Sequence, residues 1–570
     1  MILKEEIDHF IEHGIKLHRA GNIQGAWDYY QKALNKSPEN AEVLNLSGVA
    51  SLQLGDPKLA VSLITKALDN SPDNPGFLNN LGQAFQELGD SMTAVSHYRN
   101  ALTFGSDNTD VLNNLGVALT NLECYAEAGE VFEKATALEE NNPDLLHNYA
   151  TMFQEAKQLN LAIEYYQYAL NLEQNRPATH TSLASAFEEL GERDKSLHHY
   201  WLAIDLDPFH LETHLAIKKL RWAEGDDKNL HDSFFYICEK FPSSAEAYFN
   251  LASSLFESGD SKQAKPYIEK AIENSDPNPK FFHLLAKIYH AQKKYNKSIQ
   301  AHENCLALDK QNPLYLESFG STLAAAKDYD RAFDELMAAH ELHPRRSGIL
   351  GSLTIVSAEI DKSKMDRFAD YETFVSTRKI STPSGFCDLA HFNKALHEEI
   401  SLQHDGRPPP LGQTMRGGTQ IPNNLFRSAS GLIAILKESL SEVLREYINK
   451  MNVDDSHPFL RFKNPDFRYT GAWSTILYGS GYDMSHIHEG WISGVYYIKV
   501  PDLPQEAWDR GEGCIQFGEP PARYVSSKNK TRRLIKPEEG LTVFFPSYYW
   551  HGVRPFQSEG LRHAIAFDII

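Results

Sequence analysis

A chain of 570 residues with 42% hydrophobic and 11% aromatic side chains can build more than one folded core. Its formal net charge of −20 excludes a general nucleic-acid binder, whose footprint is basic, and the acids are interspersed with lysine as on a solvated surface. Cys124, Cys238, Cys305, Cys387 and Cys514 lie far apart with no CxxC pair, which excludes a disulfide framework or zinc ribbon and points to a reducing compartment.

The start, Met1-Ile2-Leu3-Lys4-Glu5-Glu6, has no basic segment leading into an apolar stretch, so no secretory signal is visible. No run approaches the roughly 18 apolar residues of a spanning helix. The expected setting is cytoplasmic, with no membrane partner.

Gly14, Gly48, Gly82 and Gly116 recur every 34 residues, and Ala150, Ala184, Ala252, Ala286 and Gly320 keep the register. Twelve positions on, small residues recur from Ala26 to Ala332, and seven further on from Ala33 to Ala339. Pro38, Pro72, Pro208, Pro242 and Pro344 close many units. This pattern is identified as a tetratricopeptide array, ten units over 7–346, predicting an all-α superhelical solenoid. Small residues are expected where the paired helices approach. Tyr30, Tyr98, Phe132, Tyr166 and Tyr200 are expected to fill the gap between neighbouring units. The unit at 211–244 is degenerate, with Lys218 in the place of a small residue.

Asn80, Asn114 and Asn148 share one position of successive units, and Asn250 returns to it later. The preceding unit has Leu46 there, with Asn45 one residue out of register. Asparagine is a middling helix former, so propensity does not select it. Its amide offers a donor and an acceptor, which suits a peptide backbone. A similar ladder lines the concave face of the O-linked N-acetylglucosamine transferase repeats. That resemblance implies that Asn80, Asn114, Asn148 and Asn250 bind a protein or peptide. The alternative is that they link neighbouring helices.

After residue 346 the period fails, and Leu350, Leu353, Val356 and Ile360 predict a helix capping the array within a 347–380 linker. Ser381-Thr382-Pro383-Ser384-Gly385 sets the boundary of a second domain, 381–570. Cys387–Gln403 reads as a helix, His404–Pro410 as a loop, and 432–448 as an amphipathic helix. Beyond Pro458, β-type runs at 471–478, 492–500, 514–517, 541–545 and 561–569 are separated by turn residues, as in a jelly roll.

Within that domain His486 and His488 are two apart, which places both imidazoles on one face if the strand that follows begins early. Phe544–His551 is a second β-type run ending in a histidine, and Arg562 lies on the last run. Two neighbouring imidazoles and a third supply a facial metal site. The order His-x-His, His, Arg resembles the iron and 2-oxoglutarate dependent oxygenases with a double-stranded β-helix. The 491–497 and 545–551 runs look like the 2-oxoglutarate-Fe(II) oxygenase domains found behind helical repeats in bacteria.

That resemblance implies Fe(II) on His486, His488 and His551, and 2-oxoglutarate held by Arg562. It implies hydroxylation of a C–H bond, with a polypeptide substrate delivered by the repeats. The family usually has an acid where His488 stands; adjacent Glu489 is expected on the opposite face unless a bulge intervenes, so His488 and Glu489 both stay open as the second ligand. Arg554 and Arg523 are other cations available to a carboxylate. A three-histidine cupin dioxygenase needing no 2-oxoglutarate, and a scaffold that has lost activity, remain open.

Overall fold

Each 34-residue period forms two helices because its small residues and large residues are complementary. In the computed structural model, which describes residues 2–105, 108–404, 414–421, 424–427, 429–520 and 533–570, a Cβ added at Gly14, Gly82 or Gly116 would sit 2.3–2.6 Å from the ring of Tyr30, Tyr98 or Phe132. The large side chain therefore packs inside its own unit, against the glycine sixteen positions earlier, and not only between units as expected. Each unit also turns through one left-handed residue between its helices. Glycine holds that place at Gly21, Gly55, Gly89, Gly191, Gly225 and Gly259, and Glu123, Lys157, Lys293 and Lys327 hold it in the others. Asparagine and aspartate side chains such as Asn40, Asp56 and Asn108 cap the helices that follow.

The chain divides into two compact units, Met1–Pro242 and Ser243–Ile570. Among the described residues the first holds seven helix pairs, from Ile2–Arg19 with Ile23–Lys36 to Leu211–Ala223 with Asp232–Lys240. The degenerate pair shows its origin: Lys218 is buried at the helix contact, and the second helix shrinks to nine residues behind a short 3-10 turn. We expect Gly116→Leu to cost about 1–3 kcal/mol by overpacking against Phe132. A urea titration checks this, and an unchanged midpoint would contradict it.

The second unit opens with three more helix pairs, from Ala245–Glu257 with Ser261–Glu273 to Pro313–Ala325 with Tyr329–Leu342. The closing helix, Ser347–Ile360, follows them. It is buried almost all round, unlike a surface helix with one apolar stripe. One continuous apolar core runs from Leu316 and Phe319 through Leu353 into the strands at Ile492, Phe544 and Ile565.

The strands are β1 (Ser376–Lys379), β2 (Met415–Ile421), β3 (Tyr469–His486), β4 (Ile492–Lys499), β5 (Ile515–Phe517), β6 (Arg533–Ile535), β7 (Leu541–Pro546), β8 (His551–Val553) and β9 (Leu561–Ile569). All pair antiparallel, in the order β1-β7-β4-β9-β3-β8-β5-β6, with β2 on β3. This curled sheet behind a helical array matches the expected solenoid and jelly-roll-like core.

Helix Gly431–Lys450 packs on the sheet through Leu436, Leu440 and Leu444, and Leu389–Ser401 lies over β4, where Asn393 accepts the Tyr496 hydroxyl at 2.5 Å. One expectation changes in detail. Phe544–His551 is not one strand: β7 ends at Pro546, a turn intervenes, and His551 opens β8. The loop expected after His404 lies, from Asp405 onward, outside the described residues. Among the described residues no helix is long and apolar enough to cross a membrane.

Candidate metal centre

His486 is the last residue of β3 and stands directly opposite His551 in the β3–β8 pairing. His488 is not on the following strand as expected. It lies in the extended link between β3 and β4, tied down by its N–H to the Ser547 carbonyl at 2.9 Å. The three rings nevertheless converge, with centroids 4.9 Å apart for His486 and His488, 4.5 Å for His486 and His551, and 5.0 Å for His488 and His551. One nitrogen from each lies within 4.8 Å of the others, close enough to share a metal ion.

Hydrogen bonding decides which nitrogens these are. His486 Nδ1 meets the Met484 carbonyl at 2.7 Å, and His551 Nδ1 the Tyr549 carbonyl at 2.9 Å. A carbonyl only accepts, so both Nδ1 atoms carry the proton. His488 Nδ1 meets Asp568 Oδ2 at 2.9 Å, with the same consequence for an ionised carboxylate. Each Nε2 is then left with its lone pair, the form in which imidazole binds a metal. Burial holds His551 well below its ordinary pKa, with help from the neighbouring His486 and His488, and burial also lowers His486. His486 and His551 are thus biased towards the neutral form that accepts a cation.

Asp568 was not singled out from the sequence. Its other oxygen, Oδ1, accepts the Ser493 hydroxyl at 2.5 Å, and Ser493 bonds Ser547 at 2.9 Å. The available signal was a lone acid in the apolar stretch Ala564–Ile570, six positions from Arg562 and therefore on the same strand face. A carboxylate thus serves this centre from behind His488, while the family's usual acid position is the imidazole itself. Glu489 faces away, as expected: it accepts from Arg346 Nη1 at 3.1 Å and from the Ser347 N–H at 3.4 Å. Trp473 stacks on His488, with ring centroids 5.2 Å apart and planes 8° off parallel.

Arg562 and the three histidines line one cavity with Trp473, Thr475 and Asp483. Only 3% of Arg562 is exposed, and its guanidinium sits 4.8 Å from the Tyr497 ring centre. Among the described residues it has no carboxylate partner within 4.0 Å, and its Nε is buried without an acceptor, as is the Tyr497 hydroxyl. A buried cation without a counter-charge is costly, so the arrangement calls for an incoming anion. Of the other cations, Arg554 donates to Gln516 Oε1 at 2.9 Å, and Arg523 lies outside the described residues. A roomier cavity of about 340 Å³ lies beside Glu489, Trp491 and Phe459, with no imidazole among its described lining residues.

The asparagine column is used in a way that involves a second column. Asn80 Nδ2 donates to Asn45 Oδ1 at 3.0 Å, Asn114 to Asn79 at 3.0 Å, and Asn148 to Asn113 at 2.9 Å. Asn45, which looked out of register, is an acceptor in this bridge. Asn250 is buried. These bonds favour the packing alternative. We expect Asn80, Asn114 and Asn148 all changed to alanine to lower the melting temperature and spare partner binding. Each lost bond is worth about 0.5–1.5 kcal/mol, of which helix propensity returns a few tenths. An unchanged melting temperature with weakened binding would restore the peptide role.

A helical-repeat array is thus followed by a curled antiparallel sheet on which three histidines converge. Residues 471–568 match the family described as "Putative 2OG-Fe(II) oxygenase". Residues 12–75 and 60–205 match tetratricopeptide repeat families, and 228–305 match "Anaphase-promoting complex, cyclosome, subunit 3". The chain therefore carries tetratricopeptide repeats in its N-terminal region and a domain of that oxygenase family near its end.

A curated relative, the type IV pilus assembly protein PilF of Pseudomonas aeruginosa, is 29% identical over 120 residues, 20% of this chain. The match spans about half of that relative, 47%. The solved PilF structure aligns at TM-score 0.32 and 24% identity, covering 37% of this chain and 97% of PilF. The type IV pilus biogenesis factor PilW aligns at TM-score 0.33 and 20% identity, covering 36% and 96%.

Proposed function

We propose that this chain is an Fe(II)- and 2-oxoglutarate-dependent oxygenase that hydroxylates a polypeptide recruited by its repeats. The observation carrying the reading is one cavity shared by three imidazoles and a buried arginine that has no carboxylate partner among the described residues. His486, His488 and His551 would hold the iron, and Arg562 with the Tyr497 hydroxyl would hold the far carboxylate of 2-oxoglutarate. Loaded in this way, the centre would supply oxygen activation coupled to oxidative decarboxylation of the cosubstrate.

The chain's own residues prepare that chemistry. Asp568 fixes the His488 tautomer and adds negative charge behind it. Trp473 holds the His488 ring by stacking, and the Met484 and Tyr549 carbonyls orient the other two imidazoles. The apolar walls Phe545, Val553 and Ile515 restrict water around the ligands. We further propose the division of labour in which 7–346 recruits substrate, 347–380 caps the array, and 381–570 carries the chemistry. A reducing cytoplasm would suit both a ferrous ion and five free thiols.

The all-histidine set also suits a cupin-type dioxygenase that does not use 2-oxoglutarate. Arg562, buried and without a counter-charge among the described residues, favours the cosubstrate reading. Succinate formation tests it: the Fe(II) protein should convert 2-oxoglutarate to succinate in an O2-dependent manner. Absence of succinate with iron bound would favour the cupin reading, and failure to bind iron the inactive scaffold.

A further inference from the structure

Each of the three histidines has a chain neighbour that touches the closing helix, Ser347–Ile360. Ile487 lies between His486 and His488, and its Cδ1 would be 3.1 Å from a Cβ placed on Gly351. Trp550 immediately precedes His551, and its indole N–H donates to the Gly351 carbonyl at 2.8 Å. The same added Cβ would stand 3.3 Å from Trp550 Nε1 and 3.3 Å from the Tyr548 carbonyl. Glu489, next after His488, takes hydrogen bonds from Arg346 and from the first N–H of the helix. Twelve of the fourteen residues of this helix are buried, so it is enclosed rather than laid on a surface.

We propose that the closing helix is part of the support of the metal centre, with Gly351 as the positioning residue that lets it reach both ligand-bearing segments. The proposal rests on the metal-centre reading above. Its physical basis is geometric. His488 and His551 belong to short links and a three-residue strand, which fix a side chain poorly on their own. The Glu489–Arg346 pair is half-exposed and adds little. The contact that matters is close packing at Gly351, where even a single Cβ would require its neighbours to give by a few tenths of an ångström, together with the buried Trp550 hydrogen bond. A helix contiguous with the repeats then couples the last repeats to ligand placement, and by reciprocity metal binding stiffens the helix.

Gly351→Val in the full chain tests this. Its branched side chain would push Ile487 and Trp550 off the helix. With Co(II) as the probe, we expect affinity to fall about 10- to 100-fold, the range of an outer-shell loss, with a changed ligand-field spectrum and an unchanged far-ultraviolet helical signal. In metal-free protein, hydrogen exchange at the amides of His488 and Trp491, which bond Ser547 and Ile569, should become faster. Trp550→Phe, which removes the N–H donor and part of the ring's volume but adds no bulk at Gly351, should move both readouts the same way by less, and it decides the matter if the valine variant does not fold. A folded Gly351→Val protein with wild-type Co(II) affinity, spectrum and exchange would overturn the proposal. If wild-type protein binds no Co(II), the metal reading fails instead. The exchange result still decides the positioning role, faster supporting it and unchanged overturning it.

Discussion

Replacing His551 by alanine is expected to abolish stoichiometric iron binding while leaving the helical signal intact. His551 is the most buried of the three histidines and faces His486 directly across two strands. Its Nδ1 proton is committed to a carbonyl, so no tautomer lets another atom take the place of Nε2. Loss of a ligand should exceed the roughly 10- to 100-fold effect of an outer-shell change, and so bring affinity down by more than about 100-fold. Asp568→Asn, which leaves all three ligands in place, should fall within that smaller range. His488→Ala is the more informative partner because the family usually has an acid at its position. Iron content measured on the purified, reconstituted variants checks all three. A His488→Ala protein with wild-type iron content would overturn the three-histidine set.

Arg562→Met should separate cosubstrate binding from metal binding and from stability, with opposite signs. Removing a charged, bidentate contact to a carboxylate costs about 2–4 kcal/mol, or roughly 30- to 1000-fold in 2-oxoglutarate affinity. Iron should be retained, because Arg562 pairs with Leu477 across β3 and β9 and is not one of the converging imidazoles. Without cosubstrate, an unpaired buried cation is a burden on the fold. An apolar side chain of similar length should therefore leave stability unchanged or raise it. A purely structural arginine predicts the reverse, a lower melting temperature with unaltered 2-oxoglutarate affinity. Calorimetric titration and thermal denaturation of the same variant distinguish the two.

The repeats were legible because their packing rule acts at a fixed interval: one glycine or alanine under one large side chain, every 34 residues, leaves a period in the sequence. What escaped was the partner in each contact. Tyr30 at Gly14 is a contact within a unit, and Asn45 with Asn80 is a contact between columns one residue apart. Neither pairing follows from period alone.

In the β domain the histidines and Arg562 were legible as residue types at spacings. Their geometry was not, because it depends on links. His488 reaches its partners from an extended segment held by Ser547, and His551 from a strand of three residues, too short to register as alternation. Asp568 sat unremarked in an apolar strand because its role depends on β9 lying beside β4, opposite Ser493, a pairing far apart in sequence. β1 and β2, short and separated from the other strands by helices and loops, carry no alternation long enough to read.

On the function proposed above, the three imidazoles and Arg562 form one site, in which a metal and 2-oxoglutarate meet. It is tested most directly by titrating 2-oxoglutarate into the anaerobic Fe(II) protein and recording the visible spectrum. The account predicts a saturable metal-to-ligand charge-transfer band that is absent in His551→Ala and shifted to far higher cosubstrate concentration in Arg562→Met. An iron-loaded wild-type protein that gives no band at saturating 2-oxoglutarate would contradict it.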